Sequence, residues 1–151
     1  MRNLEVIKNY LDEEGIKSHI ETLSNSASVL IVNCKEEVFE WNIHVSEPVE
    51  GGKEVTLYAV VSITCKEARY NVYRIINGYN KKYNYVKFFY QESEQGELVL
   101  ASYSIPPLDS GLSFFFGKVL KKFVSILDDV ALSIPTPVFK GEVKSYFSEN
   151  N

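Results

Sequence analysis

Apolar residues Leu4, Val6, Ile7, Tyr10 and Leu11 fall three and four positions apart, which predicts a short amphipathic helix at the start of the chain. Asn3 is the expected N-cap, Glu5 suits the first turn, and Gly15 supplies the stop. The period then shortens to two. Residues 20–23 alternate, Ser24, Asn25 and Ser26 form a turn, and residues 28–34 read as a buried strand through Val29, Leu30, Ile31 and Val32. Over 38–45, Phe39, Trp41, Ile43 and Val45 share one face, leaving Val38, Glu40, Asn42 and His44 on the other. Residues 48–52 break the run. Residues 54–65 are the most β-prone stretch, with Val55, Leu57, Ala59, Val61 and Ile63 expected on one side.

Helical spacing returns over 66–79 through Val72, Tyr73, Ile75, Ile76 and Tyr79, and Gly78, Tyr79 and Asn80 mark its end. Residues 83–91 and 97–105 alternate again around a connection at Glu94, Gln95 and Gly96, which predicts a hairpin closed by Pro106 and Pro107. Beyond Asp109 or Ser110 as cap, Leu112, Phe115, Phe116, Val119, Leu120, Phe123, Val124 and Leu127 define a long helix. Lys118, Lys121 and Lys122 take its opposite side. The expected class is therefore α+β, an antiparallel sheet flanked by helices in the order α-β-β-β(-β)-α-β-β-α. Residues 1–140 form one domain, and residues 141–151 a polar C-terminal tail.

Composition narrows the function. The 151 residues hold 16 Lys and Arg against 20 Asp and Glu, a formal net charge of −4, which argues against a nucleic-acid partner. No apolar run reaches the roughly 20 residues of a membrane span, and the N-terminus lacks an apolar signal core, so a cytoplasmic location without membrane contact is expected.

Candidate chemistry is sparse. Cys34 and Cys65 stand far apart without a CxxC neighbour, so no metal and no cofactor are expected. His19 and His44 each alternate with apolar residues, as on the exposed side of a strand, and no GxSxG accompanies them. Gly51 and Gly52 lack the remainder of a phosphate-binding loop and read as a turn. The acid clusters Asp12-Glu13-Glu14, Glu36-Glu37 and Asp128-Asp129 sit at element ends, where solvated charge is the ordinary outcome. The sequence predicts no enzyme.

Aromatic side chains are the surplus. Tyrosines gather around the second helix and its hairpin, and Tyr73, Tyr79, Tyr83 and Tyr85 are candidate protein-binding residues, because tyrosine pairs a large apolar area with a polar tip. Phe114 joins them: Phe114, Phe115 and Phe116 cannot all face one side of a helix.

Two segments, Arg74-Ile75-Ile76-Asn77-Gly78-Tyr79-Asn80 and Tyr85-Val86-Lys87-Phe88-Phe89-Tyr90, resemble the YbjN-like bacterial proteins, in which a helix closing on an Asn-x-x-Asn motif enters a hairpin and then a long final helix. Gly96-Glu97-Leu98-Val99-Leu100, the helix from Gly111, and Ile7-Lys8-Asn9-Tyr10-Leu11 before Gly15 continue the likeness. The β-rich middle is longer than that pattern, and the tail after Pro137 departs from it. The resemblance implies a type III secretion chaperone-like fold, frequent dimerisation, and a role as a candidate regulator without catalytic residues. Asn77 and Asn80 carry over as a structural motif that fixes the turn into the next strand. The expected partner is another protein, a secreted effector or, as small size, acidity and missing catalytic motifs suggest, a toxin, and a homodimer with a second copy of the chain is expected. Two readings stand ahead of a third, an enzyme with an unrecognised site around His19 or His44: a non-catalytic protein-binding and regulatory domain, or an immunity protein that neutralises a bacterial toxin by direct binding.

Overall fold

The computed structural model describes residues 2–23, 27–35, 39–48, 54–64, 69–94, 96–134 and 139–140. Helix α1 (Asn3–Glu13) leads into strands β1 (Ser18–Thr22), β2 (Ser28–Lys35), β3 (Glu40–Ser46) and β4 (Val55–Thr64). Helix α2 (Arg69–Lys82), the hairpin β5 (Val86–Ser93) and β6 (Gly96–Ile105), helix α3 (Leu112–Ser133) and the two-residue β7 (Phe139–Lys140) complete it. Six strands form one antiparallel sheet in the order β1-β2-β3-β4-β6-β5. The expected α+β class and element order, the short first strand included, are those observed.

Pairing of β3 with β4 covers His44 to Ser46 against Thr56 to Tyr58, and β7 pairs with β4 further along, at Ser62 and Ile63. At the β5–β6 turn, Gly96 has φ +134° and a Cβ there would meet the Thr64 carbonyl at 3.0 Å, so this position requires glycine.

The helices share one core with the sheet. Leu4, Ile7 and Leu11 of α1 and Phe116, Phe123, Leu127 and Val130 of α3 pack on Leu30, Val32, Trp41, Ile43, Leu57 and Ala101. Burying each such side chain contributes about 1.5–3 kcal/mol, so the sheet supplies the stability that an 11-residue helix lacks alone. Alternation predicted these faces correctly until the middle of β4. There a register shift between Val60 and Ser62 reverses the face, and Ile63 joins Val60, Leu98 and Leu100 in a second, separate cluster instead of the main core. One extra residue in a strand exchanges inside for outside, which a strict period of two cannot foresee.

Other expectations are corrected. Arg2, not Asn3, caps α1, its backbone N–H donating to Glu5. Neither Asp109 nor Ser110 caps α3; Gly111 does, at φ +74°. Helix α2 does not stop at Asn80 but runs through Gly78 to Lys82, because the aromatic rings on its last turns pack back onto the fold. Strand β5 accordingly begins at Val86 rather than at Tyr83. Phe115, expected on the core face of α3, is 37% exposed, while Phe116 is fully buried. His44 is buried rather than on an open face, and burial lowers its pKa from the ordinary 6.5. His19 is exposed and pairs with Glu21 at 3.0 Å. Asp128 is not merely solvated: its Oδ1 accepts a hydrogen bond of 2.7 Å from the Trp41 indole N–H. Cys34 is half-buried against the main core. Cys65, Gly51, Gly52, the Glu36-Glu37 pair, the 24–26 turn and the 141–151 tail lie outside the described residues.

Candidate functional site

The last turns of α2, the start of β5 and the outward side of α3 meet along one line of rings. Helical spacing sets Tyr79 and Tyr83 one turn apart, and their rings stack with centroids 6.2 Å apart and planes 9° from parallel. Tyr83 lies 6.3 Å from Tyr85, Tyr85 lies 5.3 Å from Tyr103 of β6, and Tyr103 meets Phe123 edge-on at 6.3 Å. The ladder therefore runs from half-buried rings on α2, through the exposed Tyr85, into the core at Phe123. Such contacts add about 0.5–1.5 kcal/mol per pair beyond area burial, so the outer rings are held in place rather than loose.

Hydrogen bonds fix one end. The Tyr79 hydroxyl donates to the Asp129 carboxylate at 3.2 Å and lies 2.7 Å from the Ser133 hydroxyl. Lysines cover the rest. Lys122 Nζ sits 4.1 Å from the Tyr85 ring centre, Lys118 Nζ 4.5 Å from that of Phe114, and Lys82 Nζ 5.3 Å from that of Tyr83. A hydrogen bond with Tyr85 is the main cause that raises the Lys122 pKa, and burial raises that of Tyr103. Phe114 at 68%, Tyr85 at 39% and Phe115 at 37% are the large exposed apolar groups of this surface.

Of the residues singled out from sequence, Tyr79, Tyr83 and Tyr85 are thus brought together, with Phe114 further along the same exposed side of α3. Tyr73 is not among them. It packs on Tyr90 at 4.0 Å between centroids, its hydroxyl 3.5 Å from Glu97, whose carboxylate is buried and paired with Arg69 at 2.7 Å. Burial, with Tyr73 and Glu97 beside it, pushes the Tyr90 hydroxyl pKa up. This cluster ties the start of α2 to the β5–β6 hairpin. Sequence reading missed Tyr103, Lys82, Lys118 and Lys122 as members of the aromatic surface. The Phe114-to-Lys118 spacing of four on an exposed helix face was the available signal.

The Asn-x-x-Asn pair divides. Asn77 is exposed. Asn80 turns back onto β5: its Nδ2 donates to the Phe88 carbonyl at 2.9 Å and its Oδ1 accepts from the Phe88 N–H at 2.8 Å. One side-chain amide thereby replaces a neighbouring strand at the outer edge of the sheet.

A shallow open groove of about 720 Å³ lies at the other edge, lined by Asp12, Lys17, His19, Asn33, Glu40 and Asn42. Its amides and acids are largely spent on one another, Asn33 donating to Glu40 at 2.8 Å and to Asn42 at 3.0 Å. Among the described residues, no group of three or more His, Cys, Asp or Glu could hold a metal ion, and no helix is long and apolar enough to cross a membrane.

No family model matches the chain, and no curated protein matches it. Solved structures do. The chain is similar to YbjN, a proposed transcription regulator from E. coli, with TM-score 0.65 and 11% identity over 86% of this chain and 89% of that one. It is also similar to an uncharacterized protein from Methanothermobacter thermautotrophicus, with TM-score 0.55 and 16% identity over 87% of this chain and 99% of that one. The fold is YbjN-like.

Proposed function

We propose that this protein is a non-catalytic, regulatory binding domain that docks another protein through the Tyr79, Tyr83, Tyr85, Phe114 and Phe115 surface. The observation that carries the reading is the ring ladder itself. Tyr85, Phe114 and Phe115 are exposed, and they adjoin the half-buried Tyr79 and Tyr83, which stacking, Asp129 and lysines order into a fixed surface. Ordered aromatic anchors on a rigid scaffold are what protein interfaces use, because little side-chain entropy remains to be lost on contact. The likeness to YbjN, itself described as a proposed transcription regulator, supports a regulatory role at the level of fold.

The test is affinity capture from the native cell with the wild-type chain and with Phe114→Asp and Tyr85→Ala, each checked for unchanged melting. A partner held by the wild type and released by both variants is expected. Partners held equally by all three chains count against this surface. Turnover of a metabolite by purified protein, lost on replacing His19 or His44, would overturn the non-catalytic reading.

A further inference from the structure

The charges of the chain are segregated. Residues 69–91 and 110–127 carry eight Lys or Arg and no Asp or Glu, whereas the remaining residues hold the other eight bases and all 20 acids. Those two segments are α2 with most of β5, and α3 up to its last turns, the elements that build the aromatic surface. Arg69 is committed to Glu97, and Lys87 alternates to the sheet's other face. Lys82, Lys118 and Lys122 lie on the rings, with Lys81 and Lys121 beside them in sequence. Asp129, on the Tyr79 hydroxyl, puts one acid at the end of the ring ladder; beyond it an acidic protein presents a basic, ring-rich face.

We propose that this face docks an acidic segment of a partner protein, Asp and Glu side chains interspersed with apolar ones, and that Lys82, Lys118 and Lys122 receive its carboxylates. The inference rests on the docking reading above and names the partner's chemistry. Each ammonium has three donors, and contact with a ring leaves donors directed to solvent. A lysine already laid over a ring has given up much of its rotamer freedom, so pairing it with a carboxylate costs less entropy than for a free side chain. Phe114, Phe115 and Tyr85 then receive the apolar residues between the acids. Single-stranded nucleic acid fits less well: the ring faces that bases would stack on already carry ammonium groups, and the acids elsewhere in the chain repel a long polyanion. A basic toxin is disfavoured at this face for the same electrostatic reason.

The experiment is fluorescence anisotropy of the full chain with a labelled Glu-Glu-Leu repeat peptide, a Lys-Lys-Leu repeat peptide and oligothymidylate. Saturable binding of the acidic peptide alone is expected, weakening as NaCl rises from about 0.05 to about 0.5 M. The double variant Lys118→Glu, Lys122→Glu should bind it about tenfold more weakly or worse, with melting unchanged because both side chains are exposed. Lys82→Glu tests the same surface from α2 should that variant fold poorly. Absence of saturable binding, affinity indifferent to the reversals, or tighter binding of oligothymidylate overturns the inference. A captured partner that is lost with Phe114→Asp but kept by the charge reversals leaves the docking surface standing and removes only its acidic specificity.

Discussion

The indole nitrogen of Trp41 joins the sheet to the last helix. Trp41 is fully buried, and its N–H reaches the Asp128 carboxylate, 87 positions away in sequence. Trp41→Phe keeps most of the apolar area but removes a donor to a charged acceptor, so a loss of about 1.5–3 kcal/mol is expected in urea unfolding. Alternation placed Trp41 in the core from sequence; nothing local could name its partner on a helix folded later in the chain. His44 gives a second expectation at this scale. Its folded pKa is depressed by burial, so the unfolded chain binds the proton more readily than the native one. Stability is therefore complete above the ordinary pKa of 6.5 and falls as the pH drops through it toward the lower folded value. Melting temperatures measured from neutral to mildly acidic pH should decline, and His44→Gln should flatten that part of the decline. An unchanged slope would mean that other groups cause it.

Elements are held by contacts that single side chains control. Gly117 lies where α1 crosses α3: a Cβ there would collide with the Tyr10 hydroxyl. Alanine is ordinarily the better mid-helix residue by about 0.5–1 kcal/mol, so a lower melting temperature for Gly117→Ala would show that the helix approach outweighs propensity. One position earlier, Phe116→Ala should cost about 3–5 kcal/mol through the cavity it opens beneath the same crossing. At the sheet edge, removing the Asn80 amide frees both backbone groups of Phe88. Hydrogen exchange at the Phe88 amide should accelerate in Asn80→Ala while amides of β4 stay protected. The sequence pattern revealed the helices and strands from α1 to α3 chiefly through the apolar faces they bury; β1, which buries no side chain, was legible only as a short alternation. It missed the strand reversal after Val60, where a register shift rather than periodicity decides, and the end of α2, where ring packing overrides the glycine signal at Gly78.

At the scale of the whole molecule, class and element order were legible because the periods of two and 3.6 rarely compete in this chain. The binding surface was legible only in part. Its tyrosines stood out by number, but their convergence with Tyr103 and the α3 lysines needs the crossover that carries the chain from β4 through α2 to the outer strand. Charge segregation was present in the sequence and was obscured by the modest overall value of −4.

The pairing of β7 with the centre of the sheet has a temporal consequence. Ser62 and Ile63 receive their neighbours on one side from Phe139 and Lys140, so a nascent chain leaves the ribosome with the last residues of its central strand open on that side until those two have been added. Productive completion then competes with capture of that opening by another extended segment. Stalled products ending before residue 139 should accumulate as aggregates, while chains that include Phe139 and Lys140 do not.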